Sequence, residues 1–142
     1  MLPTSHHGRW VGTNRLWFRP DQPSHDSEGT LSIGPNTIDV AWALQDKAHA
    51  GTLQLKGPSG SQRVAWTDSF HASSGMTLHG PFRDGLLTAY ATYSDGEGGY
   101  WGWTLELDLR SPDEVALRMF NVPPGSPPLL AVDLRAKRVS DE

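Results

Sequence analysis

The stretch Trp66-Thr67-Asp68-Ser69-Phe70-His71 carries the densest chemistry in the chain, with an indole, a carboxylate, a hydroxyl and an imidazole side by side. Asp68 could accept hydrogen bonds or act as a general base. Histidine is the residue type suited to proton exchange near neutral pH, so His71 could be an acid-base partner or anchor a ligand. Side chains alternate across a strand, so Trp66, Asp68 and Phe70 fall on one face and Thr67, Ser69 and His71 on the other. Asp68 and His71 therefore reach one cavity only if the chain bends or bulges near Ser69. Without that bend, Asp68 ties down a strand end and His71 caps a rim. A triad of Ser69, His71 and Asp68 fails on the same alternation, and no G-x-S-x-G elbow occurs in the chain.

Metal chemistry has less support. His6 and His7 lie on an end expected to be flexible, His25 and His49 fall in loops or at a strand edge, and His71 with His79 lacks a third ligand at a recognisable spacing. No metal and no cofactor is expected. The aromatic residues say more. Trp101 and Trp103 alternate in phase with Leu105, Leu107 and Leu109, and Trp42, Trp66 and Tyr90 on other segments would complete an aromatic-lined interior. Asn14, Arg118 and Asn121 are polar residues on apolar stretches. An inward Arg118 would need a carboxylate or an anionic ligand to offset its desolvation, whereas an outward one is an ordinary surface residue. The candidate ligand-binding set is thus Asn14, Trp42, Trp66, Asp68, His71, Tyr90, Trp103, Arg118 and Asn121, with Asp68 and His71 as the catalytic pair if the protein is an enzyme.

The elements that must position these residues are strands. Eleven prolines and fifteen glycines are spread along the 142 residues, leaving almost no room for a long helix. The pieces between them alternate in polarity. Trp10, Gly12, Asn14, Leu16 and Phe18 share one face before Pro20, and Ile38, Val40, Trp42 and Leu44 share another. Ser111-Pro112-Asp113-Glu114 has the form of a helix start, but Val115, Leu117 and Met119 then alternate with Ala116, Arg118 and Phe120, so the segment reads as a turn into a strand. About ten short strands joined by tight turns make an all-β meander that hides its edges by closing into an up-and-down barrel, with residues 1–142 as one domain and residues 1–7 as a flexible lead-in. Barrels of this size enclose room for a ligand.

Composition narrows the partners. A net charge of -4 argues against nucleic acid, and Arg135-Ala136-Lys137-Arg138, followed by Ser140-Asp141-Glu142 after one valine, reads as a solvated strand end. The chain has no cysteine, hence no disulfide framework and no thiolate chemistry. With no basic start ahead of an apolar run and no apolar stretch of membrane-spanning length, a cytoplasmic soluble protein is expected.

Gly8-Arg9-Trp10 on the first strand resembles the G-x-W motif of calycin barrels, which include lipocalins, fatty-acid-binding proteins and nitrobindin-like proteins. The wider pattern, from Gly12-Thr13-Asn14 through Trp66 and Asp68 to Met119, Asn121 and Leu130-Ala131-Val132, is similar to bacterial domains of that group. The resemblance implies a barrel whose first tryptophan plugs the closed end, with Arg135 or Arg138 lying across it. The departures are also informative. Asp21 to Glu28 is too short for the two-helix lid of fatty-acid-binding proteins, so an open mouth is expected. Nitrobindin-like proteins hold haem through a histidine near the end of the barrel, whereas the last histidine here is His79.

Three readings follow. The first is an intracellular barrel binding a small hydrophobic or amphipathic molecule in its cavity. The second is an enzyme using Asp68 and His71 in that cavity, and the third is a filled barrel serving as a structural or interaction module. A homodimer is compatible with each.

Overall fold

The alternating segments form eleven strands in a computed structural model that describes residues 1–139. They are β1 (Gly8–Leu16), β2 (His25–Ile33), β3 (Thr37–Leu44), β4 (Lys47–Lys56), β5 (Gln62–Asp68), β6 (Ala72–Gly80), β7 (Phe82–Arg83), β8 (Leu86–Ser94), β9 (Tyr100–Asp108), β10 (Glu114–Val122) and β11 (Leu129–Arg138). Ten of them close into an antiparallel up-and-down barrel, in which β1 pairs with β2 and β11 and the ring is completed where β6 meets β8. The short β7 pairs with β8 beside that junction. No helix among the described residues is long and apolar enough to cross a membrane. The acidic tail, residues 140–142, lies outside the described residues.

Turn chemistry explains the meander. Gln45-Asp46 and Asp84-Gly85 sit at positive φ in the two-residue connections of the β3–β4 and β7–β8 hairpins, the geometry that matches strand twist. The helix-start signal at Ser111 forms a bend, and β10 begins at Glu114.

The interior differs from expectation. Inward side chains from all ten barrel strands make one continuous core, and the cavity left among them measures about 10 Å³. Four buried tryptophans, Trp10, Trp42, Trp66 and Trp103, and many leucines on a ring of this size fill it, so the barrel is not the partly hollow vessel that the strand number suggested. The lead-in is also packed. Leu2 is buried, its N–H donates to the Pro35 carbonyl at 2.7 Å, and Thr4–His6 forms a single 3₁₀ turn that carries His6 under the barrel. Trp10 is fully buried above it, with Nε1 donating to the His6 carbonyl at 3.0 Å and the Arg138 guanidinium 4.4 Å from the ring centroid. Of the two candidate arginines, it is Arg138 that covers the tryptophan. At the other end β1 stops at Leu16, so Phe18 leaves the inward stripe and lies exposed beside His25 and Phe70. The loop to β2 runs over residues 17–24, as short as expected but four residues earlier.

Closure depends on Gly80. A Cβ there would overlap the Thr88 carbonyl oxygen and lie 2.8 Å from Ala89 Cα, so only glycine lets β6 approach β8 closely enough to pair. Gly80→Ala is expected to cost about 3 kcal/mol, the upper end for overpacking against backbone that cannot rotate away. Urea denaturation measures it, and an unchanged midpoint would show that the seam tolerates separation at this point.

Candidate functional site

Asp68 ends β5 on its inward face, and the chain then turns through Ser69 and Phe70 to His71. The turn is fastened by the carboxylate itself. Oδ1 accepts the backbone N–H of Phe70 at 2.7 Å and that of His71, while Oδ2 accepts Trp66 Nε1 at 2.7 Å. Aspartate favours such local side-chain to backbone bonding, which is why the strand ends here. The bend brings His71 back over the interior, with Nδ1 3.7 Å from Asp68 Oδ2, an ion-pair distance longer than a direct hydrogen bond. Both residues border the same small cavity, as do Asn14, Trp42 and Trp66. Burial pushes the Asp68 carboxyl up, but the His71 imidazole and the backbone N–H groups of His71 and Phe70 outweigh it and hold the carboxyl below its ordinary value.

A second irregularity opens the wall. Trp66 pairs with Met76 and Asp68 with Ala72, so Thr67 of β5 faces Ser73, Ser74 and Gly75 of β6. Gly75 takes φ +79, which glycine accommodates readily. The surplus buckles β6, and among the described residues the seam between β6 and β8 is paired only at His79 and Tyr90. Beyond that pair the two strands border an open cleft of about 590 Å³, walled by His71, Met76, Ala91, Tyr93, Trp103 and Asn121, with Ser73 and Thr77 at its edge. Tyr93 donates to Asn121 Oδ1 at 2.7 Å, and the Trp103 ring lies 5.1 Å from that of His71. Burial raises the Tyr93 hydroxyl above its ordinary value against the opposing Asn121 bond, so it serves as a donor at neutral pH.

No family model and no curated protein matches this chain.

Of the nine candidate ligand residues, seven converge: Asn14, Trp42, Trp66, Asp68 and His71 around the small cavity, and Trp103 and Asn121, with His71 again, around the cleft. Two do not. Arg118 is on the outer face because Val115, Leu117 and Met119 set the inward phase of β10; its Nε lies 3.0 Å from Glu106 Oε2 and its Nη2 3.3 Å from Asp108 Oδ2. Tyr90 is exposed and lies over Gly102, where a Cβ would come within 2.7 Å of its ring. Such cover of a strand glycine by an aromatic neighbour is a structural role.

Two residues escaped the sequence reading, one that supports the wall of the site and one that lines it. His49 is not at a strand edge but faces inward on β4, stacked on Trp42 at 5.8 Å with Nδ1 2.8 Å from Ser69 Oγ. Counting back by two from Leu55 and Leu53 would have found it. Tyr93 was missed because inward Ala89 and Ala91 carry so little hydrophobic signal that Tyr90 looked like the inward aromatic. The small residues are there because they face Leu105 and Trp103 across the β8–β9 pair.

A groove of about 520 Å³ also lies on the outer face of β1 and β11, lined by Arg15, Arg135 and Lys137 with Glu114 and Asp133. Its charges are of mixed sign and partly paired, Arg135 Nε with Asp133 Oδ1 at 3.3 Å, so it presents no single polarity to a ligand.

Proposed function

We propose that this protein binds a small hydrophobic or amphipathic molecule, and that the ligand lies in the seam cleft beside His71 rather than in the barrel core. The cleft has the volume of a small-molecule site and the usual mixture of an aromatic wall with a few polar groups, whereas the core has room for about one atom. The observation that carries the reading is the wall of the cleft, where the Trp103 indole packs 5.1 Å from the His71 ring beside the hydrogen-bonded pair Tyr93 and Asn121. Kinship with calycin barrels is part of the same proposal, supported by Gly8-Arg9-Trp10 at the closed end and Arg138 across Trp10. A chain without cysteine fits a reducing, cytoplasmic setting.

Asp68 and His71 border one cavity, the condition for the enzymatic reading. As a general base, however, Asp68 would be weak, because its carboxyl is held below the ordinary value and its oxygens already accept bonds from Trp66, Phe70 and His71. Binding is the better-supported use. The filled core favours one alternative, a structural or interaction module.

Ligand-observed NMR against a set of amphipathic fragments separates the two. Fragments are expected to bind the wild type and to lose binding in Ala91→Trp, which fills the cleft opposite Trp103, with the thermal midpoint as the check on folding. Fragments that bind both proteins equally would place the site elsewhere, and a set with no binders would favour the structural module.

A further inference from the structure

A fully closed barrel leaves no strand edge, because each backbone N–H and C=O in the ring finds a neighbour. This ring keeps one. Which groups it leaves unpaired follows from the register of β8. Leu109 N–H donates to the Gly85 carbonyl at 2.7 Å and Asp95 N–H to the Gly99 carbonyl at 3.0 Å, so the odd-numbered residues of β8 bond toward β9. Bonding direction alternates along a strand, and the even-numbered residues therefore turn their backbone groups to the seam. Thr88 does so, donating to the Pro81 carbonyl at 3.2 Å, and Tyr90 does so in its pair with His79. Continued, the same register would set Thr92 against Thr77 and Ser94 against Gly75. Neither pair forms, because Ser73, Ser74 and Gly75 make up the surplus opposite Thr67 that buckles β6.

The edge so left is exposed at Thr92 and Ser94, and it is unguarded. Proteins keep such edges from recruiting foreign strands with lysine, proline or an inward charge. The two borders of the gap, residues 72–77 and 91–94, contain none of these, only alanine, serine, glycine, methionine, threonine and tyrosine.

The wall behind the edge has a matching period. Ala91 and Tyr93 turn inward between the seam-facing residues, Trp103 stands opposite Ala91 on β9, and Asn121 and His71 close the cleft. A strand laid along Thr92 and Ser94 would show alternate side chains to this wall and the others to solvent. Among the described residues no lysine, arginine, aspartate or glutamate lines the cleft, so the inward side chains must be uncharged.

We propose, building on the cleft-binding reading above, that the amphipathic ligand is a peptide segment in extended conformation that adds as a strand to β8. Its backbone exchanges hydrogen bonds with the N–H and C=O groups of Thr92 and Ser94, and apolar side chains at every second position lie against Ala91, Tyr93 and Trp103. Main-chain bonds supply affinity and the wall selects the sequence, the division of labour common to strand-addition complexes.

The capped peptide acetyl-Thr-Leu-Thr-Leu-Thr-amide tests this beside two analogues, one with aspartate in place of leucine and one N-methylated at every residue. Calorimetric titration is expected to show the leucine peptide binding at least about tenfold more tightly than the N-methylated one, the value of two hydrogen bonds, with the aspartate peptide also weakened. On binding, the Thr92 and Ser94 amide protons should gain protection from hydrogen exchange. Thr92→Pro removes a seam-facing N–H and leaves the β8–β9 ladder intact, so it should keep its thermal midpoint and bind the leucine peptide about fivefold more weakly, the value of one hydrogen bond. If the N-methylated peptide binds as well as the leucine peptide, or the Thr92 and Ser94 amides stay unprotected in the complex, strand addition is wrong while the cleft reading survives. Binding of amphipathic fragments without binding of the peptide gives the same result. If neither peptide nor fragments bind, both fall together. Protection of the Thr92 amide in the free protein, with a dimer by light scattering, would assign the edge to a second copy of this chain and overturn the peptide.

Discussion

Asp68→Ala should unfold at a free energy about 3–5 kcal/mol below that of the wild type. The carboxylate is buried and accepts from Trp66 Nε1 and from the Phe70 and His71 backbone N–H groups, so its removal leaves donors unpartnered at the turn that joins β5 to β6. His71 loses the carboxylate 3.7 Å from its Nδ1 as well, and with it the contact that holds it over the interior. The same residue predicts an acid limb. Its carboxyl is depressed in the folded state, so its contribution is fully present above the ordinary value of 3.8 and is lost as the pH falls through the lower, folded value. Stability measured from about pH 5 down to pH 2 should therefore fall more steeply for the wild type than for Asp68→Asn, which has no carboxyl to protonate. Parallel pH profiles would remove Asp68 as an anchor.

At the opposite end, Trp10→Ala should cost about 3–5 kcal/mol, the usual penalty for deleting a fully buried indole. More than volume is lost, because Trp10 also supplies the donor to the His6 carbonyl and the ring beneath Arg138. Trp10→Phe keeps most of the ring and loses the N–H, so it should fall between the two. The Arg138 term can be isolated with a double-mutant cycle. Arg138→Ala should cost about 1 kcal/mol in the wild type and clearly less in the Trp10→Ala background, since the guanidinium would then have no ring to cover. Additive losses would show that Arg138 acts through its bonds to the Ser5 and His7 carbonyls instead. Denaturant midpoints of the four proteins settle the point.

The all-β class, the ten-strand barrel, the absence of a helical lid and the inward phases of β1, β3, β5 and β9 were legible in the residues. Period-two alternation of large apolar side chains is a local property, and proline, glycine and aspartate mark the turns between strands. The candidate site was legible in part. Asp68 and His71 were recognisable by type, but whether they shared a cavity turned on a bend created by hydrogen bonds from Trp66, Phe70 and His71 to one carboxylate. Tyr90 was misplaced because β8 carries apolar or small residues on both faces, so its phase came from partners across the barrel, whereas the outward Arg118, one of the two directions left open for it, follows the alternation of Val115, Leu117 and Met119.

Sequence alone thus determined that the chain would curl into a closed sheet with indoles on its inner face, since each strand's two faces are written in its own alternation. Only the tertiary structure decided how much space those indoles would leave and where the wall would part. Interior volume is the sum of side chains drawn from every strand at once, and the seam depends on the register between β6 and its neighbours on either side. Neither quantity belongs to any single stretch of residues.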